Sequence, residues 1–165
     1  MWEAIEASRE HLKPSMPWAH GSSTIADAEL VARRADARWR LREDLTVGVW
    51  DKATGRYLGG SGLHRIEWTT RRFEIGYWIR VEETGKGLMT EAVRLLCGMA
   101  FGPLNARRVI IRCAVDNHKS AAIPIRVGFV EEGVLKNDAT YPDGRPQDIR
   151  LFAMTPDLWA KLTSA

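Results

Sequence analysis

The chain has 165 residues, 45% hydrophobic and 27% charged, which fits a single globular domain over residues 1–165 and excludes disordered and fibrous classes. Its formal net charge of +3 is scattered along the sequence, which suits an anionic small molecule such as a nucleotide and is too weak to argue for DNA or RNA. No apolar run approaches the length that spans a bilayer, so no membrane partner is expected.

The opening segment Met1-Trp2-Glu3-Ala4-Ile5-Glu6 carries acids where a secretory signal carries bases, so a cytoplasmic protein is expected. A short helix is predicted over Ile5–Leu12, stopped by Lys13-Pro14. Met16–Gly21 reads as a loop with an aromatic tip. Thr24, with Asp27 three residues on, caps a helix running to about Arg42, whose apolar face is Ala28, Val31, Ala32, Ala35 and Trp39. Leu45–Trp50, Tyr57–Glu67 and Arg72–Ile79 read as strands joined by turns, an antiparallel meander. A loop with Gly85 and Gly87 leads into a helix over Leu88–Phe101, where Leu88, Ala92, Leu96 and Ala100 recur every four residues.

Arg108–Val115 is a β-branched strand, Ser120–Arg126 a short helix, and Phe129–Lys136 and Arg150–Met154 two closing strands, with Tyr141-Pro142-Asp143-Gly144 between them. This order predicts an α+β fold with a mixed sheet. Cys97 and Cys113 sit in apolar runs, as small core side chains in a reducing compartment; they offer neither a disulfide framework nor metal-ligand spacing.

The chemistry centres on Gly76 to Ala92, where a strand runs into a glycine loop that opens a helix. Glycines let backbone N–H groups converge, and a helix N-terminus adds partial positive charge, so the loop suits a phosphate group. Lys86 can add screening charge. The loop lacks the Gly-Lys-Ser/Thr of a nucleoside triphosphatase and the third glycine of a dinucleotide fold, so neither of those chemistries is supported.

Several segments together resemble the GNAT superfamily and, within it, the RimJ/RimL-type ribosomal-protein N-acetyltransferases. They are Glu74-Ile75-Gly76-Tyr77-Trp78-Ile79, Thr84-Gly85-Lys86-Gly87-Leu88-Met89, Asn117 with Ser120, Gly128-Phe129 with Glu132-Gly133, and Leu151 to Trp159. The resemblance implies a mostly antiparallel mixed sheet, splayed in the middle and flanked by helices. It implies acetyl-CoA as cosubstrate, without a metal, an amine acceptor, and a homodimer. The coenzyme A pyrophosphate would rest on the Gly85 and Gly87 amides, within Thr84-Gly85-Lys86-Gly87-Leu88-Met89-Thr90. The pantetheine arm would lie between the strands ending at Ile79 and Val115, with Ile79, Val81, Asn117 and Ser120 beside it. The chain departs from the family pattern at Thr84, usually Gln or Arg, and at Met89, often Gly or Ala. It also begins after the position of the family's first strand.

Acyl transfer needs a base for the amine and an acid for the leaving thiolate. Glu67 stands where RimL-like enzymes place a general base; Glu74, His64 and deprotonation through water are the alternatives, and strand alternation puts His64 and Glu67 on opposite faces. For the acid, the tyrosine that many family members carry four residues before Gly128-Phe129 is Pro124 here, which has no proton to give; the resemblance implies Ser120 instead, three residues after Asn117, where RimL-like members carry a serine. Ser120 could instead simply cap the helix it starts. Trp18, Trp68 and Tyr141 lie in loops that the fold would bring near the acceptor side. The alternative to a transferase is a module that binds acyl-CoA without turning it over. The acyl group, acetyl or succinyl, and the acceptor, protein N-terminus or small amine, both stay open at this level.

Overall fold

Residues Leu45–Trp50, Tyr57–Glu67 and Arg72–Ile79 form strands β1, β2 and β3, as their composition predicts. The computed structural model describes residues 1–21 and 24–164. Ahead of the meander lie helix α1 (Trp2–Leu12), a 3-10 turn (Pro17–His20) and helix α2 (Ile25–Arg40). After it come a second 3-10 turn (Val81–Glu83), α3 (Leu88–Phe101), β4 (Arg108–Ala114), α4 (His118–Val127), β5 (Val130–Thr140), β6 (Pro146–Met154) and α5 (Pro156–Thr163). The last helix escapes the sequence reading because Pro156 looks like a stop; at the first helical position proline is favourable. β5 and β6 reach further into their hairpin than predicted, closing on the Tyr141–Gly144 turn.

The six strands run in the order β1-β2-β3-β4-β6-β5. All neighbours are antiparallel except β3 and β4, which are parallel and pair only at Arg72↔Arg108, Phe73↔Val109 and Glu74↔Ile110. Beyond Glu74 the two strands part, so backbone groups from Ile75 onward lose a neighbour on that side. The core lies on the face covered by α3 and α4: Leu63, Phe73, Ile75, Val109, Ile111 and Phe152 pack with Val93, Leu96, Cys97 and Ala100. Both cysteines are free and buried in this core, as expected, and burial pushes the Cys97 thiol up to about 12.

Two expectations need correction. Thr24 and Asp27 do form a capping box on α2, but the apolar face assigned to that helix is not covered: Val31 is 56% and Trp39 40% exposed. Periodicity predicts which residues share a face; it cannot say that the chain supplies anything to cover it. Second, β2 carries a bulge between His64 and Glu67, with Arg65 at φ +46°. The extra residue shifts the strand's phase. His64 faces Glu74 and Glu67 faces Arg72, two positions apart on β3, so His64 and Glu67 lie on the same face of the sheet rather than on opposite ones.

Helix α1 is fastened over the end of β3. Arg80, with its side chain 4% exposed, pairs with Glu3 at 3.0 Å and donates from Nε to the Tyr57 carbonyl. Ser8 Oγ accepts the Val81 N–H at 3.1 Å. These bonds set the C-terminal end of α1 beside the opening between β3 and β4.

Candidate active site

The parting of β3 from β4 creates a cavity of about 350 Å3. One wall is β3 itself, through Tyr77, Trp78 and Ile79. The end of α1 and the loop after it supply His11, Leu12, Ser15 and Met16. The floor is the glycine loop and the first turn of α3, and the far wall is the start of α4. Of the residues named from the sequence, Ile79, Thr84, Gly85, Gly87, Leu88, Met89, Thr90, Asn117 and Ser120 line it. Lys86 lines only a shallower extension past Gly85 and Gly87, where Arg94 and Arg126 also lie, and its Nζ is 2.8 Å from Glu83. Val81 lies outside, its N–H spent on Ser8.

The loop is shaped to receive an anion. Gly85 and Gly87 have φ of +80° and +81°, in the left-handed region that favours glycine, and a Cβ at either would meet no protein atom within 4 Å. Gly87 is the N-cap of α3 and no side chain caps that end, so the first-turn amides point into the opening without a protein acceptor. Oriented N–H groups at the positive end of a helix, with Arg94 and Arg126 at the rim, are a chemically sound seat for a pyrophosphate. Thr84 contributes no side chain to that seat, because its hydroxyl donates to the Val81 carbonyl at 2.8 Å.

At the start of α4 the cap is Asn117, not Ser120: Asn117 Oδ1 accepts the Ser120 N–H at 3.1 Å, and Asn117 Nδ2 donates to Ser15 Oγ. Ser120 is therefore the third helical residue, and its hydroxyl donates across the cleft to the Tyr77 hydroxyl at 3.1 Å. Tyr77 in turn donates to the Ser120 carbonyl at 2.9 Å. Pro124 explains that bond. It sits inside α4, has no N–H, and so leaves the carbonyl four residues earlier without its helical donor. That carbonyl belongs to Ser120, and the phenol from β3 completes it. Burial holds the Tyr77 phenol above its ordinary pKa, and the hydrogen bond from Ser120 pulls it partly back. Tyr77 had no signal of its own in the sequence; only Pro124 hinted that a partner was needed.

The other candidates are distributed as follows. Trp18 is 5.8 Å from Trp78 in an edge-on contact, which brings it to the cavity mouth. Trp68 anchors the β2–β3 turn, donating to the Arg42 carbonyl and packing on Phe73. Tyr141 bonds Asp116 at 2.9 Å, tying the β5–β6 turn to the end of β4. Glu67 is exposed and lies outside the cavity; Glu74 is held by Arg65 at 3.2 Å. Among the described residues, no group of three His, Cys, Asp or Glu side chains is gathered for a metal.

The model of the acetyltransferase (GNAT) domain matches residues 3–130, most of the chain and all of the cavity. The chain belongs to the GNAT acetyltransferase family. This GNAT domain is 41% identical over 105 residues to the Bacillus subtilis protein named "Putative ribosomal N-acetyltransferase YdaF", covering 64% of this chain and 57% of that one. It is 33% identical over 100 residues to the Escherichia coli ribosomal-protein-serine acetyltransferase, covering 61% and 55%. The matched stretch thus spans little more than half of each relative. A solved structure titled "Crystal structure of Probable acetyltransferase" superposes with a TM-score of 0.86 at 30% identity, covering 94% of this chain and 85% of that one. The mixed sheet with its flanking helices is therefore the family's fold.

Proposed function

We propose that the protein transfers an acetyl group from acetyl-CoA to a primary amine, by direct attack while both substrates are bound. One observation carries this: an uncapped helix N-terminus behind two left-handed glycines, opening onto the cleft between β3 and β4. In this reading the cradle holds the pyrophosphate, and Ile79, Asn117 and Ser120 flank the arm. The acceptor class favoured by the relatives' names is an amine of a ribosomal protein. Free-thiol release with peptides bearing a free N-terminus and with small amines, beside calorimetric binding of acetyl-CoA alone, tests it. Binding without thiol release on any amine would instead identify an acyl-CoA-binding module. Succinyl-CoA in the same assay separates the two donors.

Ser120 supplies the proton to the leaving thiolate, and the Tyr77 hydroxyl beside it steadies its position. Since Asn117 does the capping, Ser120→Ala gives up the bond to Tyr77 and not a helix cap, ~0.5–1.5 kcal/mol of stability. Turnover should fall ~10-fold or more with acetyl-CoA affinity unchanged, and Ser120→Cys should recover part of it. Steady-state rates equal to wild type in Ser120→Ala would leave water as the proton source. For the other half of the proton transfer, Glu67, Glu74 and His64 all lie on the face away from α3, so each can be tested as the base.

The same reading places the protein in the cytoplasm as a homodimer acting through one acyltransferase unit. Two facts favour it. No described helix is long and apolar enough to cross a membrane, and α2 presents Ile25, Val31 and Trp39 to solvent. Light scattering should give a mass near twice that of the 18.6 kDa chain; a monomer at working concentration would count against the dimer.

A further inference from the structure

A second built cluster lies on the sheet face away from α3, just outside the coenzyme cavity. Asp44, immediately before β1, has a side chain only 9% exposed. Both of its oxygens are 2.9 Å from His64 Nδ1, the Thr46 hydroxyl donates to Oδ1 at 2.7 Å, and Arg38 of α2 stands 3.6 Å away. A carboxylate on Nδ1 fixes the neutral imidazole with its proton on that nitrogen and its lone pair on Nε2. The ring is 31% exposed, so Nε2 can be reached.

The sheet makes room for this ring. Gly62 and Gly76 are cross-strand partners, and the imidazole lies over the pair. A Cβ on Gly62 would stand 2.9 Å from Cε1, and one on Gly76 would stand 3.1 Å from Cδ2 and 3.5 Å from Nε2. Gly76 is two residues past the last β3–β4 pair and directly precedes Tyr77 and Trp78 of the cavity wall. The open nitrogen therefore sits where the cleft begins.

We propose that His64 Nε2 takes the proton from the acceptor amine and that Asp44 is its positioning residue; this rests on the acyltransferase reading. The amine lone pair forms the C–N bond at the thioester carbonyl, and the surplus proton on nitrogen passes to Nε2. The C–S bond then breaks and its electron pair leaves on sulfur, which is protonated from the Ser120 side of the cleft. The imidazolium returns its proton to solvent. The two carboxylates on this face are less well placed. Glu74, opposite His64, is engaged by Arg65. Glu67 faces Arg72, two residues or ~7 Å farther from the cleft along β3. The charged groups around His64 are thus Asp44, Arg38, Glu74 with Arg65, and Glu67 on its own strand.

The test uses the full chain, acetyl-CoA, a peptide with a free N-terminal serine, and spermidine. His64→Gln should remain folded by melting temperature, keep its acetyl-CoA affinity, and lose ~10²-fold in kcat/KM for whichever amine wild type uses. Glu67→Gln and Glu74→Gln should stay within ~3-fold of wild type, far above the loss expected for a general base. Asp44→Asn removes the carboxylate that holds Nδ1, so kcat should fall with the KM for the amine little changed, and Asp44→Glu should recover part of the rate. A folded His64→Gln with wild-type kcat/KM, a wild-type kcat in Asp44→Asn, or the main loss in Glu67→Gln would each overturn the assignment while leaving the acyltransferase reading standing. Wild type that releases no thiol with either amine would reject both.

Discussion

Gly87→Val is expected to weaken acetyl-CoA binding by ~1–3 kcal/mol, the scale of losing buried hydrogen bonds to an anion. The reason is conformational. Gly87 is at φ +81° and ψ −9° as the N-cap of α3, and a β-branched residue there is strongly disfavoured. Space is not the obstacle, since a Cβ would meet nothing within 4 Å. Valine must therefore either hold a strained cap, at ~1–2 kcal/mol, or swing the loop to negative φ. The second outcome takes the first-turn amides of α3 out of convergence and puts a side chain where the anion would lie. Gly55→Val is the matched control: it too has positive φ (+69°) and open space around it, but it lies in the β1–β2 turn away from the cavity. Both variants should lose some melting temperature, and only Gly87→Val should lose affinity in calorimetry. Equal affinity in the two folded variants would remove the phosphate-binding role from this loop.

The second large effect concerns Tyr77. Tyr77→Phe removes the only donor identified for the Ser120 carbonyl, which Pro124 has already deprived of its helical partner. Leaving a partly buried carbonyl unpaired should cost ~1–3 kcal/mol in denaturant unfolding. The explanation makes a sharper claim through a double-mutant cycle. With alanine at 124, a backbone N–H is restored four residues after Ser120, and Tyr77→Phe should then cost less than half as much. Additive costs in the two backgrounds would show that the tyrosine stabilises the cleft in some other way. Turnover of Tyr77→Phe should also fall, because Ser120 loses the hydroxyl that orients it.

Much of the architecture follows from local sequence alone. The boundaries of β1, β2, β3 and α3 are where composition, turn residues and four-residue periodicity put them. The capping box at Thr24 is likewise present, because caps, turns and strand propensities act over a few residues. The turn at the glycine loop was legible for the same reason: its positive φ angles are permitted by the residues that adopt them. Family membership, too, was readable from motifs, since the cradle and its helix are contiguous in the chain.

What the sequence by itself could not determine is everything that depends on which strand lies opposite which. A single extra residue at Arg65 moved Glu67 onto the face of His64, and no period-two count detects a bulge. The Asp44–His64 pair is separated by 20 residues and the Tyr77–Ser120 pair by 43, so only β pairing and the crossover through α3 bring them together. Ser120 looked like a cap because it could be one; Asn117, three residues earlier, took that role once the helix began at His118. The apolar stripe on α2 shows the same limit from the other side: helical spacing determines a face, but burial requires a surface to pack against, and this chain provides α2 with little.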